Sequence, residues 1–166
     1  MPEQQINTPD PSRFIREERI EEIAINHIRQ LINKQNLNFI HNRVCDSVST
    51  WDNARHGDLI IENINNNERI NFDLKRAYRN EVFISNRFMR NYQHLYIIVY
   101  SLDQNENIVP NELFLFNKEY VEKYFNSCIE SGKPFDKGYY SGDKGYKIPV
   151  SEFRSKFSIN KIIEFL

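Results

Sequence analysis

Two short segments with alternating apolar and polar residues constrain the fold of this chain more than any other feature. They are GDLIIEN at residues 57–63 and RINFDLK at residues 69–75. Such alternation predicts β-strands with one buried face, and the Asn-rich residues 64–67 between them predict a hairpin loop. With that loop, the apolar positions pair on one side of the hairpin: Leu59 with Phe72 and Ile61 with Ile70. A slip of one residue would break this match, so burial should fix the register.

The same register brings two acidic residues together on the other face. Asp58 falls opposite Asp73, and Lys75 points the same way as Asp73 because alternate side chains of a strand share a face. Like charges directly opposite each other are destabilising, which favours a bound cation between them. Mg²⁺ takes one or two carboxylates together with waters and phosphates, and a nearby ammonium can orient a water. The pattern predicts a phosphodiester hydrolysis site; alternatively, Asp58 is a turn residue and the other two side chains face solvent.

The rest of the chain predicts a mixed α/β domain. Asp10 and Pro11 predict the N-cap and first residue of a helix that extends to about Asn33. Asn117 predicts the start of a second long helix, which Gly132 ends. Further strands are predicted at residues 39–44, 95–102 and 113–116, the second of them buried on both faces. Ser85 is predicted to cap a short helix that runs to about residue 93.

Composition limits the possible classes of protein. The chain has 166 residues and 40% hydrophobic residues, which suits one domain over 1–166, with a loose arm at 1–9 and a basic segment at 133–166. No apolar run approaches the ~20 residues of a membrane span, and the polar start is not a secretory signal. Two cysteines are too few for a disulfide framework, which is compatible with a reducing cytoplasm. No phosphate-binding glycine loop is present, so no nucleotide cofactor is expected.

The charges are unevenly distributed. The net charge of −1 excludes a globally basic nucleic-acid coat. Residues 75–94 are nevertheless basic, and so is the segment 133–161. The two stretches could form one anion-binding face, or both could be solvated surface. Tyr78, within the first stretch, could stack on bases or fill the core, whereas His27, His41 and His94 show no metal-ligand spacing with each other.

The hairpin resembles the PD-(D/E)xK nuclease superfamily. The matching residues are Gly57-Asp58-Leu59-Ile60-Ile61 for the first acid and Phe72-Asp73-Leu74-Lys75 for the (D/E)xK element. Gly57 replaces the proline of the family name, which family members often lack. The resemblance implies a restriction-endonuclease-like mixed central sheet flanked by α-helices. It also implies catalytic Mg²⁺ held by Asp58, Asp73 and the backbone carbonyl of Leu74, with Lys75 serving the attacking water.

Family members often carry a glutamate on the N-terminal helix that faces the site. Glu21 is the best-placed candidate for this catalytic residue, and Glu17 is nearly as well placed. A third alternative is that neither joins the site.

The order of elements after residue 95 resembles the C-terminal half of small type II restriction endonucleases. This resemblance implies an enzyme that cuts double-stranded DNA as a homodimer and reads bases from loops. The DNA-contact candidates in those loops are Ser85, Asn86, Arg87, Lys144 and Lys147. Asn and Arg have the bidentate chemistry that reads adenine and guanine edges. The alternatives are a structure-specific repair or recombination nuclease resembling Holliday-junction resolvases, or a nucleic-acid-binding module of this fold without catalysis.

Overall fold

A computed structural model describes residues 11–41, 57–86, 96–138 and 143–154. Over these ranges the chain forms three helices: α1 (Pro11–Ile32), α2 (Lys118–Glu130) and α3 (Ser151–Arg154). The strands of the same ranges are β1 (Leu37–His41), β2 (Leu59–Asn63), β3 (Arg69–Arg76), β4 (Glu81–Ser85), β5 (Tyr96–Tyr100), β6 (Phe114–Asn117), β7 (Asp136–Lys137) and β8 (Lys144–Pro149). The predicted arm at 1–9 and the end of the predicted basic segment, from 155, lie outside the described residues.

A central mixed sheet organises the fold. Its strand order is β1-β2-β3-β5-β6, with β3 and β5 parallel and the other neighbours antiparallel. A second sheet has the order β4-β8-β7. The predicted class, mixed α/β with a central sheet flanked by helices, is confirmed. None of the helices in the described part of the chain is long and apolar enough to span a membrane.

The β2–β3 hairpin has the predicted register. Leu59 pairs with Phe72, and Ile61 pairs with Ile70. Leu59, Ile61 and Phe72 are almost fully buried, and Ile70 is partly buried. The Asn63 N–H donates to the Glu68 carbonyl at 2.8 Å, so residues 64–67 form the loop. One detail differs, because β2 begins at Leu59 and Asp58 therefore lies just outside the strand.

The two faces of the central sheet support separate hydrophobic clusters. The first cluster joins buried residues of α1, at helical spacing, to β2, β3 and β5: Ile20, Ala24, Ile25, Ile28, Leu59, Phe72, Leu74, Ile98 and Tyr100 are among its members. The second joins β5 and β6 to α2 and the smaller sheet, and includes Ile97, Val99, Phe116, Phe125, Tyr146 and Phe153. Alternate residues of β5 belong to different clusters, which confirms that this strand is buried on both faces.

Helix α2 begins and ends almost where the sequence predicts. Asn117 has an extended backbone, and its Oδ1 accepts a hydrogen bond from the Tyr120 N–H at 3.0 Å. This contact satisfies one of the free amides at the start of the helix. Gly132 follows the helix with φ +78°, a conformation that glycine adopts without steric cost.

Replacing Asn117 by Ala is expected to reduce the free energy of unfolding by about 1 kcal/mol, because the Tyr120 amide loses its acceptor. Urea denaturation measures this change. Asn126→Ala is the matched control, since Asn126 is exposed in the same helix and alanine there should stabilise it by a few tenths of a kcal/mol. Equal effects of the two substitutions would contradict the capping role.

The smaller sheet refines one prediction and corrects another. Ser85 ends β4, where it pairs with Gly145 of β8, and the next residue, Asn86, is helical, so Ser85 directly precedes a helix start; the rest of that predicted helix lies outside the described residues. Lys144 and Lys147 lie on β8 and not in a loop. The physical reason is alternation in both strands, because Val82 and Ile84 of β4 are buried together with Tyr146 and Ile148 of β8.

Gly145 is required where β4 and β8 approach each other. A Cβ atom at this position would lie 1.9 Å from the Ile84 carbonyl oxygen. Gly145→Ala is therefore expected to cost about 3 kcal/mol of stability, because backbone atoms must move. Gly132→Ala is the control, since its Cβ would meet nothing within 4 Å. Its positive φ alone should cost about 1 kcal/mol, so a thermal melt showing equal losses would contradict the prediction.

Candidate active site

The candidate site lies at one end of the central sheet. His41 ends β1 opposite Leu59 at the start of β2. Asp58 immediately precedes that start, and β3 runs back to the same end with Lys75. Because β5 is parallel to β3, its last residue, Tyr100, reaches the same end. Strand order thus collects residues that are far apart in sequence.

Asp58 is held against β3 by two hydrogen bonds. Its N–H donates to the Phe72 carbonyl at 2.9 Å, and its Oδ2 accepts from the Leu74 N–H at 2.9 Å. Gly57, with φ +76°, turns the chain directly before it. Asp58 therefore contacts β3 from the bend that precedes β2, and it is not itself a paired residue of the β2–β3 ladder.

Asp73 and Lys75 share a face of β3, as the sequence predicts. The Lys75 Nζ atom is 3.1 Å from Asp73 Oδ2, and Asp73 is only 6% exposed. The carboxyl groups of Asp58 and Asp73 lie close enough to share a hydrogen bond when Asp58 is protonated. The structure thus brings together all three side chains of the predicted motif.

The pKa of the Asp58 carboxyl is raised well above its usual value. Burial is the largest cause, followed by the negative charges of Glu21 and Asp73 and by the hydrogen bond to Asp73. The Leu74 N–H opposes this shift because it favours the ionised form. Buried carboxyl groups this close repel each other when both are charged, and a bound cation would relieve that repulsion.

Glu21 is the helix carboxylate that the structure brings to the acid pair. Burial is the largest cause that raises its pKa, and the charge of Asp73 adds to it. Its Oε1 lies 3.2 Å from the His41 Nε2, and this contact lowers the pKa in part. Glu17 acts on Glu21 through its charge. Whether either glutamate takes part in catalysis stays a prediction.

Sequence reasoning missed His41 and Tyr100. His41 has no spacing relationship with the other histidines, and only its position at the end of a strand next to β2 could have indicated it. Burial is the main cause that raises the pKa of Tyr100 well above its usual value, with further contributions from the charges of Glu21 and Asp58. The phenol therefore stays protonated and available as a hydrogen-bond donor.

Part of the predicted DNA-contact set lies on the smaller sheet. Ser85 pairs with Gly145, next to Lys144. The Lys147 Nζ atom is 4.0 Å from Glu81 Oε1. Asn86 directly follows β4, and Arg87 lies outside the described residues. DNA contact by these residues, and metal binding by the Leu74 carbonyl, stay predictions.

Comparisons with protein-family models and with curated proteins give no match. No family model matches this sequence, and no curated protein is significantly similar to it. The resemblance to PD-(D/E)xK nucleases consequently stays a hypothesis based on the motif residues.

The described residues contain no cluster of three or more His, Cys, Asp or Glu side chains arranged to hold a metal ion. Mg²⁺ needs fewer protein ligands, because waters and substrate phosphates complete its shell. Three acids, Glu21, Asp58 and Asp73, act on each other through their charges, which favours a bound cation, and Lys75 contacts Asp73 at 3.1 Å. Burial is the main cause that raises the pKa of Asp58, and the charges of Glu21 and Asp73 raise it further.

Proposed function

We propose that this chain is a Mg²⁺-dependent endodeoxyribonuclease that hydrolyses phosphodiester bonds in double-stranded DNA. The specific form that we propose is a cytoplasmic type II restriction enzyme that acts as a homodimer. The observation that carries the proposal is the contact between the Asp58 and Asp73 carboxyl groups, with the Lys75 ammonium 3.1 Å from Asp73.

The residues have distinct roles in the proposed reaction. Bound Mg²⁺ would supply Lewis-acid chemistry and make a coordinated water more acidic. Asp58 and Asp73 would hold the ion, with the Leu74 carbonyl as a further oxygen ligand. Lys75 would orient the attacking water or stabilise negative charge on the phosphoryl oxygens. The Leu74 N–H already fixes the Asp58 carboxylate at 2.9 Å, so this acid needs little reorganisation.

Glu21 extends the acidic site towards α1. Its negative charge acts on Asp58 and adds to the attraction for a divalent cation. His41, in contact with Glu21 at 3.2 Å, restricts where that carboxylate points. In the proposed reaction Glu21 would therefore assist through the electrostatics of the site.

Incubation of supercoiled plasmid with the protein and Mg²⁺ tests the proposal, with EDTA as the control. Discrete linear fragments support a restriction enzyme. A preference for branched DNA would indicate a structure-specific nuclease and not a restriction enzyme. DNA binding without cutting at any divalent ion would indicate a binding module. Light scattering of the purified protein tests the homodimer separately.

A further inference from the structure

Arg76 has an unusual environment at the end of β3. Its Nη1 donates to the Tyr78 hydroxyl at 3.3 Å, and its guanidinium carbon lies 4.7 Å from the centre of the Tyr78 ring. Its Nε is buried and has no acceptor among the described residues. Within the same ranges no carboxylate pairs with Arg76, although three acids occupy this end of the sheet. The guanidinium is therefore positioned, but its charge is not balanced there.

Strand geometry puts Arg76 on the opposite face of β3 from Asp73, on the side where α1 packs against Leu74. Side chains alternate along β3, so Arg76 points away from the face that carries Asp73 and Lys75. Its neighbour across the parallel ladder is Tyr100, whose pKa responds both to Arg76 and to the acids Glu21 and Asp58. The buried Tyr100 phenol thus lies within electrostatic range of both groups. The guanidinium and the phenols of Tyr78 and Tyr100 can all donate hydrogen bonds, which suits an oxyanion.

We propose that Arg76 binds a phosphate of the DNA backbone next to the phosphate that is cleaved. The inference rests on the proposed nuclease function. Lys75 and Arg76 are consecutive in an extended strand and point to opposite faces, so they suit neighbouring phosphates better than a single one. The planar guanidinium matches phosphate oxygens in a bidentate manner, and the Tyr78 ring fixes its plane.

Fluorescence anisotropy with a labelled DNA duplex tests this contact, with Ca²⁺ replacing Mg²⁺ to suppress hydrolysis. Affinity is measured between about 50 and 200 mM salt for the wild type and for Arg76→Gln. The slope of log affinity against log salt should fall in magnitude by about 0.9, the contribution of one phosphate contact. The affinity should fall similarly for every duplex sequence.

Arg69→Gln is the matched control, because Arg69 lies at the other end of β3 and already pairs with Glu62 at 2.7 Å. Its slope should equal that of the wild type. Thermal melts check folding, and Arg76→Leu replaces Arg76→Gln if the amide is not tolerated in this half-buried position.

Two outcomes overturn the inference while the nuclease proposal stands: a slope for Arg76→Gln equal to that of Arg69→Gln, or loss of folding in both Arg76 variants. If Arg76→Gln binds DNA more weakly but keeps the wild-type dependence of affinity on salt, the inference is also overturned. Arg76 would then have a structural role through Tyr78. Failure of the wild type both to bind DNA and to cut plasmid would overturn the nuclease function itself.

Discussion

Replacing Asp73 by Asn should lower the rate of plasmid cleavage in Mg²⁺ by about 10³-fold. Asparagine preserves the size of the side chain but removes the negative charge that would bind the ion and that contacts Lys75 at 3.1 Å. Because the charge of Asp73 also raises the pKa of Asp58, the substitution should leave the folded state intact or stabilise it. Cleavage kinetics and a thermal melt of the same preparation measure both effects.

Glu62→Gln is the matched control for this substitution. Glu62 lies on the same hairpin but pairs with Arg69 near the loop, away from the acid pair. Its cleavage rate should stay within about twofold of the wild type, since surface substitutions away from a site have small effects. Cleavage by Asp73→Asn at the wild-type rate would show that the site assignment is wrong.

Replacing Asp58 by Asn should stabilise the metal-free protein while abolishing cleavage. Asparagine keeps an oxygen that can accept the Leu74 N–H, but it removes a buried charge placed near Glu21 and Asp73. The stability gain near neutral pH is expected to be at least about 1 kcal/mol, which is about 2–4 °C in melting temperature for a chain of this length. Differential scanning calorimetry in EDTA measures it.

The pH dependence of this gain has a definite sign. The pKa of Asp58 is higher in the folded state than in the unfolded chain, so the folded protein holds its proton more tightly. The wild type should therefore lose stability as the pH rises from the unfolded pKa through the folded pKa. The extra stability of Asp58→Asn over the wild type should be absent in strong acid. It should grow as the pH rises from the unfolded to the folded pKa of Asp58, and then level off.

Added Mg²⁺ should reverse the order of the two proteins. An ion that binds only the folded wild type stabilises it by about 2.7 kcal/mol at a hundred times its dissociation constant, whereas Asp58→Asn should respond little. Glu122→Gln, at an exposed position of α2, is the control and should match the wild type with and without the ion. A wild type that melts at the same temperature in EDTA and in Mg²⁺ would contradict metal binding at this site.

Local patterns predicted the parts of the fold that local interactions determine. The hairpin register follows from alternating burial in two adjacent segments, and the bounds of α2 follow from Asn117 and Gly132. The same patterns placed Asp73 and Lys75 on one face. In these elements the residues that decide the structure are close together in sequence.

Long-range pairing explains what the sequence did not reveal. Strand β4 finds its partner β8 about sixty residues later, so neither segment shows its neighbour locally. His41 and Tyr100 join one end of the sheet only because β1 and β5 lie beside β2 and β3. The bend at Gly57 was foreseen only as the alternative in which Asp58 is a turn residue, because a positive φ angle leaves no trace in a hydrophobic pattern.

Leu74, which lies between Asp73 and Lys75, determines which phenotype substitutions at this position should produce. Leu74 is 5% exposed, packs in the cluster under α1 and binds Asp58 through its N–H. Any shift of this leucine displaces Asp73 and Lys75, the side chains of the proposed site before and after it, because they share its backbone. Conservative changes such as Leu74→Val should consequently emerge from a genetic screen as loss-of-activity alleles in proteins that still accumulate to normal levels.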